Sequence, residues 1–337
     1  MTDITTLSQF LTTAQTQFQI YDLGRRVQHI DMMAFHQIES LKSPYPFPTQ
    51  GHAQFAVVFW NKDQQHYIWF IKLALDEQGL FSPAARSQFI QMIMEALGRD
   101  PTIALTEQQQ QAMANNPFSF KPSQEKLAVF NALVKKQLGI AASGQYELAY
   151  QYLSGQMPTE NWQQIGLQGI ADVCVRSNDL NHNQAIINGI TNSAVEVKAA
   201  LCQCLEHIQP SDEVAQCLFE QFKTAEAELS LLFLRALAGN RQFSQRAVQH
   251  LMNHNLMTDH AVITIAARNW SVLTNDDIRL DYLESLAKQS QTFFNQVFAD
   301  IVAIPMLRNN MLMELRNPKR SEALSQAIGG LFRATSQ

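Results

Sequence analysis

From about residue 123 onward the chain is one apolar stripe at helical spacing after another, and that regularity limits the fold more than any other feature. The clearest stripe lies in 194–208, where Val197, Ala200, Leu201, Cys204, Leu205 and Ile208 recur at the intervals of one helix face. Ser193 with Glu196 reads as a capping box at its start. Ser211, followed by Asp212 and Glu213, opens the next helix. Leu229, Leu232, Phe233, Ala236 and Leu237 make another stripe, closed by Gly239 and Asn240. Further stripes run through 244–254, 259–268, 276–287 and 291–303. Paired as 159–175 with 183–190, 194–208 with 211–222 and 226–239 with 243–254, they repeat roughly every 32 to 34 residues, the range of helical hairpins. The diagnostic residues of tetratricopeptide and ankyrin repeats are absent, and the spacing is short for typical HEAT units. The reading is a HEAT-like or generic α-solenoid, with an irregular helical bundle as the alternative.

The first hundred residues have a different texture. A helix is expected over Thr6 to Gln19, with Leu7, Phe10, Leu11 and Phe18 on one face. FQIYDLGRRVQHI at 18–30 alternates apolar and polar residues around Gly24, as two short strands would. Asp31 caps a short helix through Ile38. The prolines of SPYPFP at 43–48 forbid helix there. AQFAVVFW at 53–60 and HYIWFIKL at 66–73, joined by NKDQQ, form a β-hairpin rich in aromatic and β-branched residues. Both faces of the hairpin are apolar. One of them should pack on the flanking helices, while the other should meet the helical repeats, a second copy of the chain or a different protein. Ser82 caps a helix with Pro83 at its first position, whose stripe is Phe89, Ile90, Ile93, Met94 and Leu97, closed by Gly98. Residues 101–122, with prolines at 101, 117 and 122 and four consecutive glutamines, read as a linker or exposed loop. The fold class is therefore an α+β domain over 1–100 with a hairpin-containing sheet, then a mainly α domain of helical-hairpin repeats over 123–337.

Composition narrows the function classes. Charged residues make up 16% and the formal net charge is -5, so the basic footprint of a nucleic-acid binder is missing. Glutamine, about one residue in nine, supplies polarity without charge. Cys174, Cys202, Cys204 and Cys217 all fall in the helical half and read as small core residues of a reducing compartment. No basic signal region opens the chain and no apolar run approaches the length of a membrane span. These features point to a soluble cytoplasmic protein.

Chemistry-bearing motifs are sparse. His250 and His254 stand one helical turn apart, with His260 nearby, but Leu251 occupies the position where a zinc protease carries glutamate. Cys202 and Cys204, two residues apart on a helix, point away from each other and are not a chelating pair. No phosphate-binding, dinucleotide or nucleophile-elbow motif occurs. Gly329 and Gly330 are expected to end a helix. Arg308, Arg316, Lys319, Arg320 and Arg333 face only Glu314 and Glu322, which makes a basic C-terminal stretch. The densest polar set is N-terminal: Asp22, Arg25, Arg26, His29, Asp31, His36, His52 and His66. A histidine beside a carboxylate there is the raw material of acid–base chemistry, although no spacing in it matches a known site.

Three segments carry a family resemblance: IYDLGRRVQHI at 20–30, PYPFP at 44–48 leading to HYIWF at 66–70, and LALDEQGL at 73–80 followed by AAR at 84–86. Over residues 18–100 the chain resembles an uncharacterised bacterial family of about this full length. The resemblance implies a cytoplasmic bacterial protein and brings no activity, substrate or catalytic residue with it. The leading expectation is a non-enzymatic interaction or scaffold protein that binds a protein partner or a second copy of itself. Trp60, Tyr67, Trp69, Arg25 and Arg26 are the candidate binding residues. No catalytic residue, metal ligand, cofactor, nucleic acid or membrane is expected. The alternative is a small-ligand binder or enzyme that uses the N-terminal His/Asp/Arg set.

Overall fold

The computed structural model describes residues 4–61, 65–98, 101–102, 106–107, 111 and 116–335. The middle of the hairpin loop and much of the segment expected as a linker lie outside these residues. The chain divides into two compact units, Met1–Pro122 with Ala303–Pro305, and Ser123–Val302 with Met306–Gln337.

In the first unit four antiparallel strands lie in the order β2-β1-β3-β4: β1 (Gln17–Asp22), β2 (Gln28–Ile30), β3 (His52–Trp60) and β4 (His66–Ala74). The helices are α1 (Leu7–Thr13), α2 (Met32–Glu39) and α3 (Pro83–Leu97). Cross-strand register puts Ile20, Val57 and Trp69 on one sheet face and Tyr21, Ala56 and Phe70 on the other. The first face joins Phe10, Phe35 and Ile93 of the three helices in a single apolar core. Asp31 caps α2 by accepting from the backbone N–H groups of Met33 and Ala34, whereas Ser82 precedes Pro83 and α3 without the expected side-chain cap.

The first helix is shorter than its apolar pattern suggests. It stops at Thr13, and Gln15 adopts a positive φ of 58° that turns the chain. Residues from Gln17 then pair with β3, Phe18 opposite Phe59. Six residues of ladder pairing outweigh the helical preference of a segment that was free to be either. The free edge of β4 is also occupied. Lys72 N–H donates to the Phe118 carbonyl, Phe120 N–H to the Phe70 carbonyl, and Ser119 bridges Ile71.

In the second unit the helices are α4 (Gln124–Gln137), α5 (Tyr146–Leu153), α6 (Leu167–Cys174), α7 (Leu180–Asn192), α8 (Val195–Leu205), α9 (Asp212–Thr224), α10 (Ala227–Ala236), α11 (Arg241–Asn253), α12 (Asp259–Ala267), α13 (Asp276–Leu286), α14 (Gln291–Val302), α15 (Pro305–Glu314) and α16 (Glu322–Thr335). Alternate helices pack together. α4, α6, α8, α10, α12, α14 and α16 form one series, and α5, α7, α9, α11 and α13 another. The starts of α8, α10, α12 and α14, at 195, 227, 259 and 291, fall 32 residues apart. Helix α8 touches α4, α6, α7 and α10, which is why Cys202 and Cys204, on its opposite sides, are both buried.

Three local expectations change. Ser193 is not a capping box. It ends α7, and Ala194 precedes α8 without a side-chain cap, because only two residues separate the helices. The expected helix over 159–175 is a 3₁₀ segment, Thr159–Gln164, followed by α6. Gly329 and Gly330 lie inside α16 instead of ending a helix. A β-carbon on Gly330 would collide with the Gln291 side chain, which donates to the Ala327 carbonyl. Gly239 plays a comparable part between successive turns, since a β-carbon there would run into the Ile208 carbonyl.

One buried carboxylate makes the first unit sensitive to pH. Glu39, 3% exposed, accepts from the backbone N–H of Leu7 at 2.8 Å and of Ser8 at 3.2 Å, and from the Ser8 hydroxyl. Burial nevertheless raises its pKa above the ordinary 4.5. A raised folded pKa favours the protonated form in the fold. The resulting stabilisation is complete below about 4.5 and is lost as pH rises through the folded value. Glu39→Gln copies the neutral form. Its melting temperature relative to wild type should climb between about pH 4 and about pH 7, as read by circular dichroism. A flat or falling difference would show that the hydrogen bonds to α1 outweigh burial.

Candidate functional site

The structure separates the five candidate binding residues. Trp60 stands on the sheet face away from the helices, half-buried, and its indole N–H donates to the Gln17 amide oxygen at 2.9 Å. Gln17 is its cross-strand neighbour. Tyr67 and Trp69 are on the opposite face. Tyr67 stacks on Phe59 at 5.3 Å and its hydroxyl donates to the Thr102 carbonyl. Trp69 meets Phe59 edge to face at 4.6 Å and stacks on Phe10. Ala56 and Val58, at the centre of the other face, are buried as well. No large apolar side chain of the hairpin is exposed among the described residues.

Arg25 and Arg26 belong to a turn organised by Asp22. This fully buried carboxylate accepts from the backbone N–H groups of Gly24, Arg25 and Arg26 and from the Tyr45 hydroxyl at 2.7 Å. Burial, and then the negative charge of Asp22, holds the Tyr45 phenol well above its ordinary pKa. Arg25, 3% exposed, donates from Nε to the Pro48 carbonyl. Tyr21, whose phenol is pushed up to about 12 by burial, meets His29 edge-on. The rest of the polar set has local work: Asp31 caps α2, and His52 Nδ1–H donates to the Gln50 carbonyl.

The paired histidines lie against each other with their ring planes tilted by 32°. The rings of His250 and His254 are 4.1 Å apart, and His254 Nδ1–H donates to the His250 carbonyl. Burial, then the neighbouring His254 and Lys223, lowers the His250 pKa. Among the described residues no three His, Cys, Asp or Glu side chains are grouped to hold a metal ion.

Two polar clusters in the helical unit escaped sequence reasoning. In the first, the Tyr146 hydroxyl and His182 Nε2 are hydrogen-bonded at 2.8 Å, while His182 Nδ1 lies 3.7 Å from Asp179. Arg176 sits over the Tyr146 ring and also pairs with Asp172. Burial raises the Tyr146 phenol and lowers His182, so both are neutral at ordinary pH. The pair acts as a hydrogen-bonded link between α5 and α7, not as an ionised nucleophile. In the second cluster, Glu206 is 2% exposed and joins Arg235 at 2.6 Å and Arg268 at 3.0 Å. Its members come from 206, 235 and 268, a sequence separation that no local motif reveals. The three residues stand at or just past the ends of α8, α10 and α12, which pack in one series.

The family described as "Protein of unknown function (DUF3549)" matches residues 2–332. The chain belongs to that family, and the match reaches far beyond the 18–100 segment that carries the visible resemblance. No curated protein and no solved structure matches the chain. Among the described residues no helix is long and apolar enough to cross a membrane.

The placement of the aromatics yields an order of effects. Trp69→Ala should cost about 2–3 kcal/mol in urea unfolding, somewhat under the cost of emptying a wholly buried tryptophan site. Trp60→Ala should cost about 1 kcal/mol or less, chiefly the bond to Gln17. The reverse order would contradict the assignment of the two faces.

Proposed function

We propose that the protein is a non-enzymatic interaction or scaffold module of the bacterial cytoplasm, whose helical unit is a HEAT-like solenoid of helical-hairpin repeats that holds a protein partner. The observation that carries this reading is the packing of alternate helices at a 32-residue step. Units stacked in one dimension present long continuous surfaces, and such surfaces suit extended partners. Exposure supports the same location. Of the large apolar side chains that stand exposed among the described residues, Met33 alone precedes the helical unit, while Leu180, Val195, Ile263 and Met313 lie along it. In this reading the hairpin aromatics serve mainly to build the first unit, with Trp60 the one anchor left on the second sheet face.

Cross-linking with mass spectrometry on the full chain purified from its own cells tests the proposal. The expected result is one protein, or a second copy of this chain, recovered in near-stoichiometric amount. Its cross-links should fall on exposed lysines of the helical unit such as Lys223, Lys288 and Lys319. The reading fails if no such protein is found and a metabolite screen instead yields a compound that raises the melting temperature saturably.

A further inference from the structure

The cluster around Glu206 is built from one series of stacked helices. Glu206 follows α8, Arg235 lies in the last turn of α10, and Arg268 follows α12. Each arginine uses its Nε edge on the buried carboxylate, Arg235 on Oε2 and Arg268 on Oε1. Arg268 also donates from Nη1 to the Ala267 carbonyl. Neither Nη group of Arg235, nor Nη2 of Arg268, donates to another group among the described residues. The two side chains are 28% and 23% exposed.

One carboxylate is enough to hold one guanidinium. Here it holds two, so these three side chains together carry one net positive charge, with His207 also 3.4 Å from Glu206. With Nε fixed on Glu206, both Nη groups of Arg235 and Nη2 of Arg268 are left to meet a second carboxylate. Apolar surface lies on the same face of α10, where Leu231, one turn before Arg235, is half-buried.

Resting on the scaffold reading above, we infer that the Arg235–Glu206–Arg268 cluster is the docking point for an acidic peptide segment of the partner. A carboxylate side chain of that segment bridges the two guanidiniums, and an apolar neighbour lies against Leu231. Charge complementarity selects this occupant. A basic or neutral segment would leave the excess charge unmet, and a carboxylate removes it.

The probe is a fluorescein-labelled peptide of alternating glutamate and leucine, with a glutamine–leucine peptide as its neutral counterpart, followed by anisotropy with the full chain. The glutamate peptide should bind saturably, and added salt should weaken it. Arg268→Gln should weaken it at least about tenfold, the worth of one good charged contact. Arg246→Gln serves as the control for general charge. Arg246 stacks on Phe219 and Phe243 in the other helix series, and its loss should change binding less than about twofold. Removing an arginine also exposes Glu206 to a destabilising imbalance. Hydrogen exchange on the wild-type chain therefore supplies the second measurement, with protection on peptide addition expected at the ends of α10 and α12. Absent saturation, equal binding of the glutamine peptide, equal loss in Arg246→Gln, or protection confined elsewhere would each overturn the inference. If a partner cross-links to the helical unit yet the glutamate peptide ignores these arginines, the docking point is wrong while the scaffold reading survives.

Discussion

A helical hairpin of about thirty residues has apolar surface on more than one side and cannot bury it alone. Nearly everything in the second unit follows from how this chain meets that constraint. Each helix rests on the helix two positions away, so Leu201 and Cys204 of α8, Phe233 and Leu234 of α10, and Val262 and Ile265 of α12 are all removed from water. Turns must then approach closely, as at Gly239 against Ile208. Polar groups between stacked helices must find partners across units. Glu206 meets two arginines, and Asn269 donates to Leu234 O and to Ser244 Oγ.

The first unit solves a different problem with buried carboxylates. Asp22 folds a tight turn around its own oxygens, and Glu39 ties the start of α1 to the end of α2. Both are acceptors of backbone N–H groups, which makes them organisers of chain direction. A carboxylate committed to that work has little freedom to act as an acid or base. The same reasoning holds for Asp31, which caps α2.

Much of this was legible from residue order alone. The runs of aromatic and β-branched residues at 53–60 and 66–73 gave the hairpin within a residue at each end, because a strand apolar on both faces leaves an unbroken run of β-formers. Stripes such as 259–268 gave their helices for the corresponding reason. Failures fell where tertiary contacts overrule local preference. Phe18 fits a helix stripe but pairs opposite Phe59. Ser193 has the chemistry of a cap but lies in a two-residue connection. Gly330 looks like a stop and instead makes room for Gln291. The Glu206 cluster was invisible for a deeper reason: its three members are separated by whole helical units, and nothing local pairs a glutamate with an arginine 29 or 62 residues away.

The central claim is that the helical unit is modular at 32 residues, and paired deletions test it most directly. Removing 227–258 takes out α10, α11 and their turns, and brings α12 to the place where α10 packed. Removing only 227–240 takes out α10 and the turn after it, and forces α11 into the wrong helix series. Thermal unfolding by circular dichroism should show that the larger deletion leaves the more stable, cooperatively folded protein. A higher melting temperature for the smaller deletion would contradict the account.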